Sequence, residues 1–144
     1  MTTKTESNNI FIDTNVLIGA YSEDPRFKDD RECWRYLCGL NGKRPFISSL
    51  SVAQLVSVFQ KRFDNKDIKS KVDNIVGKAT VVDFTFDDIR DSLKIATGDM
   101  EDNIQYVICK KVRCTKFVTR NTKDYGHFLN LEIVQPKKVR TISR

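Results

Sequence analysis

The stretch NNIFIDTNVLI, residues 8–18, decides the fold class of this chain. Residues 10–12 and 16–18 are all apolar, and the polar triplet Asp13-Thr14-Asn15 separates them. A strand that is buried on both faces reads as a near-continuous apolar run. A carboxylate at the end of such a strand is costly to desolvate unless it has a partner, and a metal ion is one such partner. The stretch therefore predicts a buried strand that ends at an acid.

Length and composition bound the class of protein. The chain has 144 residues, of which 40% are hydrophobic and 31% charged, and this favours a single domain with one core. No apolar run approaches the ~20 residues that a membrane helix needs. The start, MTTKTESNN, lacks the apolar centre of a secretory signal. We therefore expect a short disordered leader at residues 1–8, no membrane association and a cytoplasmic protein.

The cysteines and the single histidine disfavour several kinds of site. The cysteines form two pairs, Cys33 with Cys38 and Cys109 with Cys114, and each pair is five residues apart. Paired zinc ligands are usually closer in sequence, so reduced, half-buried thiols on helices are the better interpretation. One histidine, His127, gives little support to a Ser/His/Asp or Cys/His device.

Strand and helix patterns alternate along the chain. We expect strands at 9–13, 46–49, 80–84 and 115–120, and one last short strand within 131–144 ahead of the basic tail. We expect helices at 16–22, 29–40, 49–63, 65–79, 85–98 and 99–113. Ser49 or Ser51 would cap the third helix, Gly77 would close the fourth, and Thr85 or Asp87 would cap the fifth. Alternation of this kind predicts an α/β fold with a central parallel sheet of four to five strands, right-handed crossovers and helices on both faces.

Four carboxylates are expected at one edge of that sheet. Asp13 ends the first strand, Asp124 lies just beyond the strand at 115–120, and Asp99 and Asp102 open the helix at 99–113. Ligands of parallel α/β sheets bind outside the carboxyl ends of the strands. Clustered carboxylates repel one another, and Mg²⁺ or Mn²⁺ would relieve that repulsion through oxygen ligands. The pattern therefore predicts a divalent-metal site that can activate water against a phosphodiester.

Each acid also has an ordinary structural explanation. Asp99 follows Gly98 and is a natural helix cap, and Asp102 would then favour the helix dipole. Asp124 could accept a hydrogen bond within a turn. These explanations remain open for each residue singly, but they do not predict that the acids coincide at one sheet edge.

The charge balance favours a polyanionic partner, with nucleic acid as the first choice. Lys and Arg number 25 against 19 Asp and Glu, which gives a net charge of +6. The basic residues around the expected acidic pocket either contact phosphates or form a solvated face. They are Lys110, Lys111, Arg113, Arg120 and Lys123.

Four segments resemble the PIN domain family in order and approximate spacing. They are IFIDTNVLI, ISSLSVAQL, GDMEDNIQYVICKK and KFVTRNTKDY, and the resemblance covers about residues 9–136. It implies a single Rossmann-like PIN nuclease domain at 9–136, followed by a basic tail at 137–144.

The resemblance also implies roles for individual residues. Asp13 would be the first metal ligand and Asp102 the acid on the later helix, with Asp99 close by. Asp124, or the position of Asn121, would complete the site after the last strand. Asn15 and Thr119 would hydrogen-bond the carboxylates, and Arg120 and Lys123 would contact RNA. Gln54 stands where the family usually has a glutamate, and Asn121 is neutral where many relatives have an acid.

The implied function is a Mg²⁺- or Mn²⁺-dependent endoribonuclease, the toxin of a type II toxin–antitoxin pair. The C-terminal segment of an antitoxin would then cover the acidic pocket and insert a basic side chain into it. A homodimer could form near Trp34 and Tyr36 unless both belong to the core. Because of Gln54, a degenerate PIN domain that binds RNA or a protein without cutting remains the alternative. A response-regulator receiver is a weaker one, because Asp13 is the only acid at the first strand.

Overall fold

The computed structural model describes residues 9–39, 43–128 and 130–141, and within them five parallel strands form one sheet. The strands are β1 (Ile10–Ile12), β2 (Phe46–Ser48), β3 (Thr80–Val82), β4 (Lys116–Val118) and β5 (Glu132–Val134). Their order in the sheet is β3-β2-β1-β4-β5, with Phe11 of β1 in register with Phe46 and Phe117 of its two neighbours. The predicted single α/β domain with a parallel sheet is confirmed, and the predicted leader at 1–8 lies outside the described residues.

Six α-helices connect the strands. They are α1 (Thr14–Ala20), α2 (Lys28–Cys38), α3 (Ser49–Phe59), α4 (Asn65–Lys78), α5 (Phe86–Ser92) and α6 (Met100–Lys111). Short 3-10 helices lie at Pro25–Phe27, Thr122–Tyr125 and Pro136–Thr141. None of the helices in the described ranges has the length and apolar character required to span a membrane.

The central strand shows why helices cover both faces of the sheet. Ile10 and Ile12 belong to one buried apolar cluster, which they share with side chains of α1 to α4. Phe11, between them, belongs to a second cluster with side chains of α6. Successive side chains of a strand point to opposite faces. Both faces of β1 are therefore buried, as the apolar run at 10–12 predicts.

Helix ends differ from the sequence expectations in ways that local bonding explains. Ser48, rather than Ser49 or Ser51, caps α3 by accepting from the Ser51 backbone N–H at 3.0 Å. Gly77 does not close α4, which continues through Lys78. Thr85 caps α5 as one of the two predicted caps, and it forms a reciprocal capping box with Asp88.

Two helices end four or more residues before their predicted ends. The helix expected at 49–63 ends at Phe59, because the backbone N–H groups of Arg62 and Phe63 turn back onto the Phe59 carbonyl. The helix expected at 85–98 ends at Ser92, and the chain reaches α6 through Gly98 at φ 92°. A side chain at Gly98 would be strained there and would come within 2.6 Å of His127 Nε2.

The segment at 137–144 is not simply a tail. Its first part lies in the 3-10 helix Pro136–Thr141, which packs against α2, and Val139 is fully buried in the first apolar cluster. The basic residues on either side of Val139, Lys138 and Arg140, conceal this one buried position in the sequence.

The aromatic residues offered as a dimer interface belong to the core. Trp34 is only 6% exposed, and its indole N–H donates to the Tyr21 hydroxyl at 2.9 Å. Tyr36 is half-buried against the same apolar cluster. All four cysteines are reduced as expected, although three are fully buried rather than half-buried and Cys114 precedes β4 instead of lying on a helix.

Gly19 of α1 tests how tightly the helices pack on this face. A Cβ at Gly19 would lie 1.8 Å from the Asp30 Oδ2 atom of α2, and Asp30 is itself buried. We expect Gly19→Ala to lower the free energy of unfolding by about 1–3 kcal/mol, as overpacking usually does.

The matched control is Gly77→Ala in α4, where a Cβ would meet nothing within 4 Å. There the added methyl should stabilise the helix by roughly 0.5–1 kcal/mol. Urea unfolding of both variants measures the difference, and equal stability of the two would contradict the packing described between α1 and α2.

Candidate functional site

Asp13 lies at the carboxyl end of β1, where it both starts α1 and faces a cavity. Its Oδ1 atom accepts from the Thr14 backbone N–H at 2.8 Å, which caps the helix. Its Oδ2 atom accepts from the Thr119 hydroxyl at 2.8 Å, just beyond β4. Asp13 is 7% exposed. The strand end therefore holds a nearly buried carboxylate in a fixed orientation.

Tyr125 joins Asp13 to the second predicted acid. Its hydroxyl lies 3.0 Å from Asp13 Oδ2 and 2.7 Å from Asp102 Oδ1. The two carboxylate oxygens therefore lie close together, since both contact the same hydroxyl. A phenol carries one hydrogen, so it donates to one of the two carboxylates at a time. The sequence analysis missed this role, although Tyr125 is the last residue of the quoted motif KFVTRNTKDY.

Burial and mutual repulsion shift the titration of these groups. Burial raises the pKa of Asp13, although hydrogen bonds from Thr119 and Tyr125 act in the opposite direction. The pKa of Asp102 is raised to about 6, first by burial and then by the charges of neighbouring acids. Those neighbours are Asp13, Asp99 and Asp124. The four carboxylates predicted to converge therefore act on one another electrostatically.

A cavity of about 920 Å³ opens over these acids. Five carboxylates are among the described residues that line it, namely Asp13, Asp99, Glu101, Asp102 and Asp124. Asp99 also caps α6 by accepting from the Asp102 backbone N–H at 3.2 Å, so its structural explanation is correct as well. Lys123 is the one lysine in that lining, and Asn121 and His127 lie nearby on the same wall. The cavity is therefore strongly acidic in a chain of net charge +6.

Gln54 of α3 lines the cavity through two specific contacts. Its Oε1 atom accepts from the Thr14 hydroxyl at 2.6 Å, and its Nε2 amide donates to the Glu101 carboxylate of α6. Below it, Gln105 of α6 donates to Ser51 at 2.9 Å and accepts from the Ser48 hydroxyl at 3.0 Å. These buried polar contacts hold α1, α3 and α6 together beneath the acids.

The sequence analysis did not assign Glu101, Gln105 or the two serines. One signal in the sequence could have indicated Gln105, because it is a polar residue next to the apolar Ile104 of α6. In the structure Gln105 is only 3% exposed. Such residues are hydrogen-bonded when they are buried.

Asn15 and Arg120 support the site from behind. Asn15 donates to the Thr119 hydroxyl at 3.3 Å, so it reaches Asp13 through Thr119 rather than directly. Arg120 donates to the Asn15 carbonyl at 2.9 Å, pairs with the buried Asp30 at 3.4 Å and lies over the Phe27 ring. Arg120 is absent from the cavity lining, and its contacts hold the start of α1. Its contact with RNA stays a prediction.

The other basic candidates differ in their surroundings. Lys111 pairs with Asp88 at 2.8 Å and also donates to the Asp83 carbonyl, so it has a structural role. Lys110 and Arg113 are exposed and are absent from the cavity lining. Lys123 is exposed at the cavity, where a phosphate could reach it.

The donor set fits a hard divalent cation. The side chains that face one another are carboxylates and amides, and Mg²⁺ and Mn²⁺ prefer such oxygen ligands. Within the described residues, no three Asp, Glu, His or Cys side chains form a ready-made metal cluster. Mg²⁺ is often held by only one or two carboxylates with water completing the shell. Asp13 and Asp102, which share the Tyr125 hydroxyl, meet that requirement.

The raised pKa of Asp102 predicts a pH-dependent effect in metal-free protein. Because this carboxyl binds its proton more tightly when folded, the native state loses stability as pH rises from the ordinary value of 3.8 through about 6. We therefore expect Asp102→Asn to be more stable than wild type near neutral pH and close to it near the ordinary carboxyl pKa. Thermal unfolding in a chelator, across that pH range, measures the difference.

The control variant is Asp73→Asn, which changes an exposed acid on α4. Its melting temperature should follow wild type at every pH. A constant offset between Asp102→Asn and wild type, independent of pH, would contradict the coupling between burial and charge at this site.

Comparison with known proteins agrees with this fold. A family model described as PIN domain matches residues 9–123. Ribonuclease VapC1 of Aquifex aeolicus (strain VF5) is 25% identical over 125 residues, which cover 83% of this chain and 85% of that protein. Similar solved structures include VapBC2 from Rickettsia felis bound to a DNA fragment from their promoter. It has a TM-score of 0.64 and 20% identity, and covers 88% of this chain and 97% of the other.

A second solved structure is Mycobacterium tuberculosis VapC20, a sarcin-ricin loop cleaving toxin. Its TM-score is 0.65 at 11% identity, with 85% of this chain and 98% of that chain covered. At such identities the structural likeness shows the fold alone. The family model, however, spans most of the chain and includes the strand that ends at Asp13 as well as α6. The chain therefore belongs to the PIN domain family.

Proposed function

We propose that this protein is a divalent-metal-dependent endoribonuclease and the toxin of a toxin–antitoxin pair. The observation that carries the proposal is the Tyr125 hydroxyl between Asp13 and Asp102, since it brings acids from β1 and α6 to one cavity. Membership of the PIN family and the similarity to a protein named ribonuclease VapC1 support the choice of RNA as substrate.

Electrostatics gives an independent reason to include a cation. A polyanion such as RNA would be repelled from a cavity lined by five carboxylates unless positive charge were added there. Asp13 and Asp102 would hold a Mg²⁺ or Mn²⁺ ion, with Asp124 and Asp99 adding negative charge nearby. When bound, such an ion stabilises charge on the phosphodiester and lowers the pKa of the attacking water.

The protein's own side chains position these groups. Thr119 and Tyr125 orient the Asp13 carboxylate, and Tyr125 also fixes Asp102. The Tyr125 phenol is a hydrogen-bond donor at neutral pH, and burial raises its pKa further above the ordinary value. Lys123, exposed at the cavity, would contact a substrate phosphate.

A non-cleaving PIN domain that binds RNA or protein is the second candidate. The observation that favours it is Gln54, which is neutral and is engaged by Thr14 and Glu101. Asn121 at the cavity is also neutral. Both candidates place RNA or a partner over the same acids, and only turnover separates them.

An antitoxin partner follows from the same proposal. Structures similar to this chain include VapBC from Salmonella typhimurium bound to DNA and a toxin–antitoxin complex from Klebsiella pneumoniae. An acidic cavity is complementary to a basic side chain of such a partner. In the cytoplasm, that side chain would block access of RNA to the cavity. A small reading frame next to this gene, whose product co-purifies with the chain, would support the pairing. A homodimer also remains a proposal, but not through the buried Trp34.

Cleavage of RNA should require both bridged carboxylates. We expect wild-type protein with Mn²⁺ to cut structured or single-stranded RNA. Removal of a residue that only supports a metal ligand costs about 10–100-fold in activity. The cleavage rates of Asp13→Asn and Asp102→Asn should fall by more than that. A gel assay on both RNA types, with and without a chelator, measures the rates.

Asp73→Asn serves as the control because it removes an exposed acid on α4, outside the cavity lining. It should cleave at the wild-type rate. RNA binding by the wild type without cleavage in any divalent ion would contradict the nuclease and favour the non-cleaving domain.

A further inference from the structure

Glu101 lines the cavity, although the sequence analysis assigned no role to it. It precedes Asp102 in the first turn of α6, and its side chain is exposed to the cavity. Its carboxylate accepts from the Gln54 amide of α3, across the cavity floor. The neutral side chain of α3 is therefore in direct contact with an acid of α6.

The hydrogen bonds of Gln54 explain why that side chain is an amide. The Thr14 hydroxyl donates to Gln54 Oε1, so the opposite end of the amide must be the donor that Glu101 accepts. A glutamate at position 54 would place a second carboxylate against Glu101. Two carboxylates in contact repel each other. An amide at position 54 avoids that repulsion and donates to Glu101 instead.

We propose that Glu101 supplies the carboxylate that α3 lacks at the metal site, and that Gln54 is a positioning residue that holds it. The proposal rests on the metal-dependent nuclease proposed above. A negative charge is then present opposite α3 in the cavity, but it comes from α6. The acid is then present on α6 although α3 carries the neutral Gln54. The neutrality of Gln54 therefore no longer argues for a non-cleaving domain.

Binding of Mn²⁺ to RNA-free protein, measured by calorimetry, tests this relocation without using catalysis. Glu101→Gln keeps the size of the side chain but removes its charge, and we expect it to weaken Mn²⁺ binding by roughly tenfold. The double variant Gln54→Glu with Glu101→Gln returns the acid to α3 with the amide opposite, and it should restore most of the affinity. Glu23→Gln, which removes an exposed acid outside the cavity, should bind like wild type.

The outcomes separate this inference from the function on which it rests. Wild type that binds Mn²⁺ and cuts RNA, together with Glu101→Gln of unchanged affinity, would overturn the inference alone. A double variant as weak as Glu101→Gln would also overturn it, because α3 could then not supply the acid. Wild type that binds no Mn²⁺ would overturn both proposals. Chemical unfolding of each variant confirms that the comparison is made between folded proteins.

Discussion

The architecture of this site depends on one constraint, the meeting of two carboxylates at a single buried hydroxyl. Asp13 comes from the end of β1 and Asp102 from the first turn of α6, and Tyr125 contacts both from the 3-10 helix that follows β4. Each contact fixes one element against another. Carboxylates brought this close and partly removed from water repel each other unless a proton or a cation lies between them. The fold therefore creates a local need for positive charge.

The elements around the acids are built to maintain that arrangement. The Asp13 carboxylate caps α1, and the glycine at 98 lets the chain turn so that α6 begins at the cavity. Below the acids, Gln105 connects α6 to the serines at the start of α3. Behind them, Arg120 ties the start of α1 to the buried Asp30. The hydrogen bonds of Gln105 are buried, and satisfied buried polar groups of this kind help to specify one geometry.

Much of the fold could be predicted from the sequence, because the apolar runs and helical periodicities report burial directly. The five strands, the parallel sheet and the caps at Thr85 and Asp99 follow from such local patterns. The ends of α3 and α5 could not be placed correctly, because turns and a positive φ at Gly98 decide them. Val139 was assigned to a tail since a single buried residue between a lysine and an arginine carries no periodic signal.

The site was predictable in part for the same reason. The strand ends locate Asp13 and Asp124, and the helix start locates Asp99 and Asp102. The contacts of Tyr125 and Glu101 depend on tertiary positions, as does the engagement of Arg120 by Asp30 and Asn15. Spacing in the sequence does not encode such contacts, so Arg120 was offered as a phosphate ligand and Glu101 was not considered.

A crystal structure of the protein grown with Mn²⁺, with anomalous diffraction recorded at the manganese edge, tests the central claim most directly. The account predicts an anomalous peak in the cavity, with oxygens of both Asp13 and Asp102 within about 2.0–2.3 Å of it, as hard-cation coordination requires. A peak elsewhere on the surface, or a cavity without one while both carboxylates remain bound to Tyr125, would contradict it.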